Sequence, residues 1–312
     1  MPIGQYIIAR VDAGLTHAQA LTLATDLGGT LAAPTTLAEN TLILGFLAQD
    51  DLLMGGEPRD NARNGPWLGL TQPAGSAEPG GGWTWDTGET YDFTAWHSGQ
   101  PDNFLGDSYA NYWNQGGLTG WGDHINDPVS QGYGPVISAA VELAAGVRGL
   151  TGTAGHDFIW GGAIGNRIQA GAGDDIVQGN GGKDRIAGGG GNDDLTGGSG
   201  ADALSGGANA DHFVFARAAD SRNSATGHDV IVDFSLAQHD VIDLSLIDAI
   251  PGGTFDHLTY RGAAAFSGTG QVRFQVVGSE THVEVNLTGD TTPEMLIVLA
   301  NGAVLDATAF LL

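Results

Sequence analysis

An aspartate or asparagine recurs at every ninth position between residues 152 and 214, a spacing that could build a row of metal sites. The segment divides into seven contiguous repeats without an insertion: GTAGHDFIW, GGAIGNRIQ, AGAGDDIVQ, GNGGKDRIA, GGGGNDDLT, GGSGADALS and GGANADHFV. The sixth position of these repeats is Asp157, Asn166, Asp175, Asp184, Asp193, Asp202 and Asp211. Because the chain has no cysteine, a metal must be held by oxygen or imidazole, and carboxylates with backbone carbonyls are the ligands that Ca²⁺ prefers. The repeat therefore predicts calcium binding.

The eighth position of the repeats is apolar in all seven, which indicates regular structure. It is Ile159, Ile168, Val177, Ile186, Leu195, Leu204 and Phe213. A flexible glycine-rich linker has no reason to keep an apolar residue at one position. We expect the first six residues of each repeat to form a turn, in which glycines permit backbone angles that a Cβ forbids. The last three residues should form a short strand whose eighth side chain points inward.

Two repeats make one coil, so acids two repeats apart should stack in columns. One column is Asp157, Asp175, Asp193 and Asp211, and the other is Asn166, Asp184 and Asp202. Carboxylates at the strand spacing of about 4.8 Å repel by roughly 3 kcal/mol per pair at an effective dielectric constant of about 20. We therefore expect the columns to order only when Ca²⁺ binds, with about five shared ions. The weakest site should lie next to the uncharged Asn166 and next to Ile164, which replaces a fourth-position glycine.

The nonapeptide resembles that of the RTX family of secreted bacterial proteins, in which such repeats form a calcium-binding parallel β-roll. The later stretches DVIVDFSLAQHDVIDLSLIDA, TYRGAAAFSGTGQVRF and LDATAFLL are similar to the region that follows the repeats in serralysin-type RTX proteins. That resemblance implies an uncleaved type I secretion signal, and therefore the type I secretion machinery as a partner during export. Its terminal pattern is matched by Asp306, Phe310, Leu311 and Leu312. Unfolded export suits a segment that folds only in abundant calcium.

Four acids beyond the repeats are candidate further ligands: Asp229, Asp233, Asp240 and Asp243. Solvated acids at strand ends would give the same pattern, so both interpretations stay open. The choice depends on whether the side chains are buried.

Composition limits the class of partner. The 312 residues include 36 acidic and 11 basic ones, for a formal net charge of −25. This balance argues against nucleic acid, whose affinity comes from Lys and Arg that neutralise phosphates, and favours cations. The first residues, MPIGQYIIARVDAGLT, have no basic segment before an apolar core, and no run approaches the roughly 18 apolar residues of a membrane span. We expect a soluble, extracellular protein without a cleaved amino-terminal signal peptide.

Length and pattern predict a multidomain chain, with an α+β domain at 1–146, the repeats and their extension at 147–248, and an all-β cap at 249–312. Two amphipathic stretches in the first domain predict helices. One begins after Thr16 and the other after Thr35 or Thr36, residues that can cap a helix. The apolar residues on or near one face of the first helix are Ala18, Leu21, Leu23 and Leu27.

A second candidate site is the run Gln100-Pro101-Asp102-Asn103. Such residues form ordinary surface turns, but oxygen ligands on both sides of a rigid proline also suit a hard cation. The surroundings resemble the C-type lectin family. Its WIGL strand corresponds to Trp67-Leu68-Gly69-Leu70, and its aromatic run corresponds to Trp83, Trp85, Gly88, Phe93 and Trp96. The family's disulfide cysteines are absent.

The resemblance assigns roles to residues of this loop. In sugar-binding members, the residues flanking a cis proline ligate Ca²⁺ and hydrogen-bond two vicinal sugar hydroxyls; here these are Gln100 and Asp102. Further ligands align with Asp107 and Asp123. Trp121-Gly122-Asp123 departs from the family's WND pattern, so Asn126 or Asp127 would have to replace the missing amide. Gln-Pro-Asp is the order found with galactose-type sugars, and Phe104 aligns with the aromatic that stacks on the sugar. His97 and His124 fit hydrogen-bonded loop residues better than metal ligands.

These observations lead us to expect a secreted, calcium-dependent carbohydrate-binding protein that prefers galactose-type glycans, with one or more calcium ions in the lectin-like domain. The alternative is an adhesive or protein-binding module that uses the same fold without sugar. An enzyme is not expected, since the chain has neither the HExxH motif of zinc proteases nor the GxSxG motif of lipases. The sequence leaves the oligomeric state open.

Overall fold

A computed structural model describes residues 4–11, 13–49, 54, 62–73, 76–77, 81–102, 108–115, 118–124, 126, 136–224, 226–250 and 255–312. These residues form mostly β-sheet, with two α-helices among them. Contacts divide the chain into an amino-terminal unit, Met1–Ala145 with Gly155–Phe158, and a carboxy-terminal unit, Gly146–Ala154 with Ile159–Leu312. No helix in the described part of the chain is long and apolar enough to span a membrane.

The amino-terminal unit places two helices beside a mixed sheet. Its elements are β1 (Gln5–Arg10), α1 (His17–Asp26), β2 (Gly29–Leu31), α2 (Leu37–Gln49), β3 (Ala62–Thr71), β4 (Thr84–Trp85), β5 (Tyr109–Gln115), β6 (Leu118–His124) and β7 (Ser138–Leu143). The strand order is β1-β7-β3-β5-β6, with β2 paired to β7 and β4 paired to β3. Strand β6 is thereby placed beside β5, where it presents Asp123.

Both helices begin where their capping residues predict. Thr16 and Gln19 form a capping box at the start of α1. At the start of α2, the Glu39 carboxylate accepts from the backbone N–H of Thr36 at 3.0 Å. The expected apolar face of α1 is wrong: the buried side chains are His17, Ala20 and Ala24, while Leu21 is 37% exposed. Ala20 and Ala24 are small, which lets α1 lie close to β2 and β7.

The aromatic run forms a cluster around one buried indole. Trp121 is fully buried in β6 and meets the rings of Trp85, Phe93 and Trp96 at centroid distances of 5.6, 5.8 and 5.8 Å. Its indole N–H donates to Asn40 Oδ1 at 2.9 Å, so the cluster is also tied to α2. This cluster positions the segment that leads to Gln100.

The carboxy-terminal unit contains short parallel strands and, later in the chain, an antiparallel segment. The strands from the repeats onward are β8 (Gly149–Thr151), β9 (Asp157–Trp160), β10 (Arg167–Ala172), β11 (Ile176–Gln178), β12 (Gly181–Gly182), β13 (Arg185–Gly190), β14 (Asp194–Thr196), β15 (Ser199–Gly200), β16 (Ala203–Ala208), β17 (His212–Val214), β18 (Asp229–Ile231), β19 (Val241–Asp243), β20 (Thr259–Tyr260), β21 (Gln271–Val277), β22 (Glu280–Asn286), β23 (Met295–Leu299) and β24 (Phe310–Leu311). Strand β9 begins in the part of the chain that clusters with the amino-terminal unit.

The repeats pair in parallel with the register that the nine-residue period predicts. Ile168 in β10 pairs with Ile186 in β13, which pairs with Leu204 in β16, and each step is two repeats. On the other sheet Val177, Leu195 and Phe213 follow the same rule. All seven eighth-position side chains are at most 2% exposed, so the inward strand face is as expected.

Strands beyond the repeats continue both sheets. Strand β18 pairs with β16 and β23, and the sheet continues from β23 through β22 and β21 to β20. On the other sheet β19 pairs with β17, and β24 adds to its edge. Phe310 and Leu311 therefore belong to this sheet, and Phe310 is 7% exposed.

Candidate functional sites

Sixth-position acids of the repeats form two hydrogen-bonded columns. In one, the backbone N–H groups of Asn166 and Asp184 donate to the Oδ1 atoms of Asp184 and Asp202, at 2.6 and 2.8 Å. In the other, the N–H groups of Asp175 and Asp193 donate to Oδ1 of Asp193 and Asp211, at 2.9 and 3.0 Å. Each carboxylate thus binds the backbone of the residue eighteen positions earlier.

Two acids beyond the repeats extend these columns. Asp229 Oδ1 accepts from the N–H of Asp202 at 2.8 Å, and Asp240 Oδ1 accepts from Asp211 at 3.2 Å. The column of Asp229 ends at Ser221, whose hydroxyl oxygen accepts from the Asp229 N–H at 2.7 Å. The period predicts neither Ser221 nor the placement of Asp240, because both follow the last regular repeat.

The second carboxylate oxygen of the column acids is buried. Oδ2 of Asp184, Asp202, Asp211 and Asp229 has no hydrogen-bond partner among the described residues. Burial raises the pKa of Asp184 and Asp211 to about 7, and of Asp202 to about 6. It raises the pKa of Asp229 to about 8, with neighbouring carboxylates adding to the shift. A bound cation would stabilise the ionised form of these buried carboxylates, so their environment suits a cation site.

First-position glycines leave room for these carboxylates. A Cβ at Gly179 would lie 2.7 Å from Asp184 Oδ2, and one at Gly197 would lie 2.6 Å from Asp202 Oδ2. The space beside the carboxylate oxygens is thus bounded by backbone, whose carbonyls are calcium ligands. No group of three or more His, Asp or Glu in the described ranges is arranged to hold a metal, so calcium here would rely on those carbonyls as well as on carboxylates from adjacent coils.

Three further predicted ligands differ from the column acids. Asp157 is fully buried, and its Oδ1 accepts from the backbone N–H of Arg10 at 3.3 Å. The Asn166 amide bonds to backbone at both ends, accepting from Gly162 N–H and donating to the Val147 carbonyl, each at 3.0 Å. Asp233 lies outside the columns and accepts from the hydroxyl of Ser205 and the N–H of Gly206.

The loop at Pro101 brings three predicted ligands together. The Gln100–Pro101 peptide bond is cis. Gln100 Oε1 accepts from the backbone N–H of Asp123, and Asp123 Oδ1 accepts from the N–H of Asp102, each at 3.1 Å. Gln100 Nε2 donates to Asp102 Oδ2 at 3.1 Å. Asp123 is 3% exposed, whereas Asp102 lies at the surface. These hydrogen bonds join Gln100, Asp102 and Asp123 to one another near the end of β6.

Trp113 explains why residue 122 is glycine. A Cβ at Gly122 would lie 2.9 Å from Trp113 Cβ, so a side-chain amide at this position has no room. The suggested replacement Asn126 is engaged elsewhere, because its Oδ1 accepts from the Ala18 N–H at 3.0 Å, at the start of α1. Phe104, Asp107 and Asp127 lie outside the described residues.

The two histidines near this loop are part of its packing. The His97 ring meets Trp113 edge to face at a centroid distance of 5.0 Å, and its backbone N–H donates to the Trp121 carbonyl at 2.9 Å. His124 is 6% exposed at the end of β6. Trp113, in β5, belongs to neither of the aromatic motifs recognised in the sequence, so only the fold shows its role.

Comparisons with known proteins identify the repeats. The family model of the RTX calcium-binding nonapeptide repeat matches residues 150–163, 164–195 and 188–221. The chain therefore carries RTX calcium-binding repeats. None of the curated proteins with which it was compared matches it.

Solved structures similar to this chain include an epimerase subunit, an antifreeze protein and a C-type lectin. A subunit of the Azotobacter vinelandii mannuronan C5-epimerase is 26% identical over 54% of this chain and 81% of its own, with a TM-score of 0.30. The herring type II antifreeze protein is 21% identical over 46% of this chain and 92% of its own, with a TM-score of 0.34. The C-type lectin CEL-I from Cucumaria echinata is 18% identical over 45% and 91%, with a TM-score of 0.33.

Proposed function

We propose that this chain, which carries RTX calcium-binding repeats, is an extracellular calcium-dependent carbohydrate-binding protein rather than an enzyme. The observation that carries the proposal is the convergence of Gln100, Asp102 and Asp123 at the cis Gln100–Pro101 bond. The chain's aromatic motifs, which resemble those of C-type lectins, surround the buried Trp121 and fix the segment before this loop.

Calcium bound at the loop would supply a positive centre to which two neighbouring sugar hydroxyls can bind. The chain's own residues hold the oxygens in place: Asp123 is buried in β6 and fixes both Gln100 and the Asp102 backbone. A galactose-type preference follows from the order Gln-Pro-Asp, by resemblance, and from Phe104 as an aromatic close to it in sequence.

A glycan array probed with the full chain, with calcium and then with chelator, tests this function. We expect galactose-type signals that need calcium and that Asp102→Ala abolishes. Asp92→Ala removes the same charge from a nearby exposed position and should leave the signals unchanged. An array without any glycan signal in calcium would refute the proposal.

One observation favours a second candidate, a protein-binding module that needs no sugar. Both ends of the Gln100 amide are engaged within the protein, since Nε2 donates to Asp102 and Oε1 accepts from the backbone N–H of Asp123. This module would bind its protein partner equally in calcium and in chelator, which distinguishes the two candidates.

For the carboxy-terminal unit we propose a parallel β-roll in which Ca²⁺ binds between coils. Support comes from the parallel eighteen-residue register and from the buried column oxygens. Extracellular calcium-binding modules work at about 0.1 to 1 mM, so the roll would order after export. Circular dichroism of the full chain during calcium titration should show added β-structure, and a spectrum that chelator leaves unchanged would contradict a calcium-ordered roll.

A further inference from the structure

An open groove lies on the outer face of the sheet that contains β10, β13 and β16. It has a volume of about 270 Å³. The groove forms where the outward-facing side chains are small, at Ala187 and Ala203. The neighbouring Ile168 and Ile186 point into the interior and are at most 2% exposed. We call it the arginine groove and define it by Arg167, Gln169, Arg185, Ala187, Ser205 and Val232.

Two guanidinium groups line the groove side by side. Arg167 and Arg185 are paired residues of adjacent parallel strands, and both side chains are exposed. Like charges at such positions repel, since adjacent strands are about 4.8 Å apart. No acid among the described residues forms an ion pair with either one. By contrast, Arg217 and Arg273 bind Asp220 and Glu284 at 3.1 and 2.7 Å.

This pair is unexpected in a chain whose formal net charge is −25. Three of its 11 basic residues, Arg167, Lys183 and Arg185, lie within the repeats, which carry eight aspartates. Two neighbouring guanidiniums without an acidic partner can both donate N–H groups to the oxygens of one carboxylate. An anionic ligand would remove their mutual repulsion.

The other groove residues indicate a sugar acid. Gln169 is exposed and can both donate and accept hydrogen bonds. Ser205 donates its hydroxyl hydrogen to Asp233 at 2.6 Å, so its oxygen is left to accept from a ligand hydroxyl. Ala187 and Val232 offer apolar contact for the C–H face of a ring. Among the described residues no aromatic side chain lines the groove, which disfavours stacked bases.

We propose that the arginine groove binds a carboxylate-bearing glycan, with Arg167 and Arg185 on the carboxylate and with Gln169 and Ser205 on the hydroxyls. This site belongs to the carboxy-terminal unit and does not depend on the loop at Pro101. It would add a second glycan class to the one proposed for the amino-terminal unit.

Calorimetric titration of the full chain in excess calcium with trigalacturonate, and with its uncharged methyl ester, tests the groove. Binding of the acid alone is expected, and it should weaken as salt rises. Arg167→Gln and Arg185→Gln should each weaken it about tenfold or more, and the double variant should abolish it. Arg222→Gln removes the same charge from an exposed position outside the groove and should have no effect.

Several results would overturn the proposal. Undiminished binding by the double variant, equal loss in Arg222→Gln, or affinity independent of salt would each exclude a specific arginine site. Equal affinity for hexaglutamate would replace the glycan with an acidic peptide. Loss of trigalacturonate binding in Asp102→Ala would move the ligand to the Pro101 loop, while its retention supports the groove even if the galactose-type proposal fails. Calcium-dependent circular dichroism establishes that each variant is folded.

Discussion

At the scale of single residues, Gly122 is fixed by its neighbour across the β5–β6 pair. Any side chain there would meet Trp113, whose Cβ lies 2.9 Å from the place that a Cβ of residue 122 would take. Trp113 in turn packs against His97, three residues before Gln100. The glycine that looks like a lost ligand in the sequence is thus a packing requirement of the loop.

Gly122→Ala should therefore destabilise the amino-terminal unit by about 1–3 kcal/mol, as overpacking does elsewhere. Gly45→Ala is the matched control, because Gly45 lies in α2 with open space around its Cβ position, and this change should stabilise by about 0.5–1 kcal/mol. Thermal unfolding followed by tryptophan fluorescence measures both, since six of the seven tryptophans lie between Trp67 and Trp121. Equal stability of the two variants would contradict the packing argument.

At the scale of elements, the turns of the coil depend on the second residue of each nonapeptide, whose backbone often has a positive φ. Gly171, Gly189 and Gly207 have φ of 128°, 118° and 106°. A Cβ on Gly189 would collide with the carbonyl oxygen of Gly171, two repeats earlier, and a Cβ on Gly207 with that of Gly189. The same position in another repeat holds Asn180, with φ of 71°, a residue type that tolerates this region.

Gly189→Ala should accordingly destabilise the carboxy-terminal unit by at least about 1–2 kcal/mol and raise the calcium concentration at which it orders. Gly190→Ala, at the next residue, is the control, since no atom lies within 4 Å of the position that a Cβ of residue 190 would take. Calcium titrations followed by circular dichroism compare the two. A midpoint for Gly189→Ala that matches that of Gly190→Ala would show that the backbone approach does not limit folding.

The sequence predicts the repeat elements well and the loop site only in part. A strict nine-residue period sets which residues pair, so the columns and the buried eighth positions follow from spacing alone. Asp229 and Asp240 join the columns after irregular insertions, and only the folded chain reveals that placement. Which face of α1 is buried, and the hydrogen bond from the Ala18 N–H to Asn126, depend on tertiary contacts that leave no repeating pattern in the sequence.

At the scale of the whole molecule, acidity opposes folding in the absence of cations. Beyond the columns, Glu142 in the amino-terminal unit has its pKa raised to about 7, first by burial and then by Glu39 and Glu89. Each such acid is more easily ionised in the unfolded chain than in the folded one. Both units should therefore share one direction of pH dependence when metal is removed.

In chelator, protonation of the column acids should allow the carboxy-terminal unit to order at about pH 5.5, and its stability should fall as pH rises to about 8.5, where ordering requires calcium. Asp202, Asp184 and Asp229 have folded pKa values of about 6, 7 and 8, against about 3.9 when unfolded, so the folded state binds more protons over this range. Calcium reverses the trend because it binds ionised carboxylates and releases protons, so its affinity should rise with pH. Thermal unfolding at several pH values, with chelator and with calcium, measures both slopes.

Asp229→Asn is the internal control for this prediction. It should flatten the dependence of chelated stability on pH between about pH 7 and 8.5 while leaving the contribution of Glu142 unchanged. Chelated stability that increases across this range would mean that the column carboxylates are not destabilised by burial.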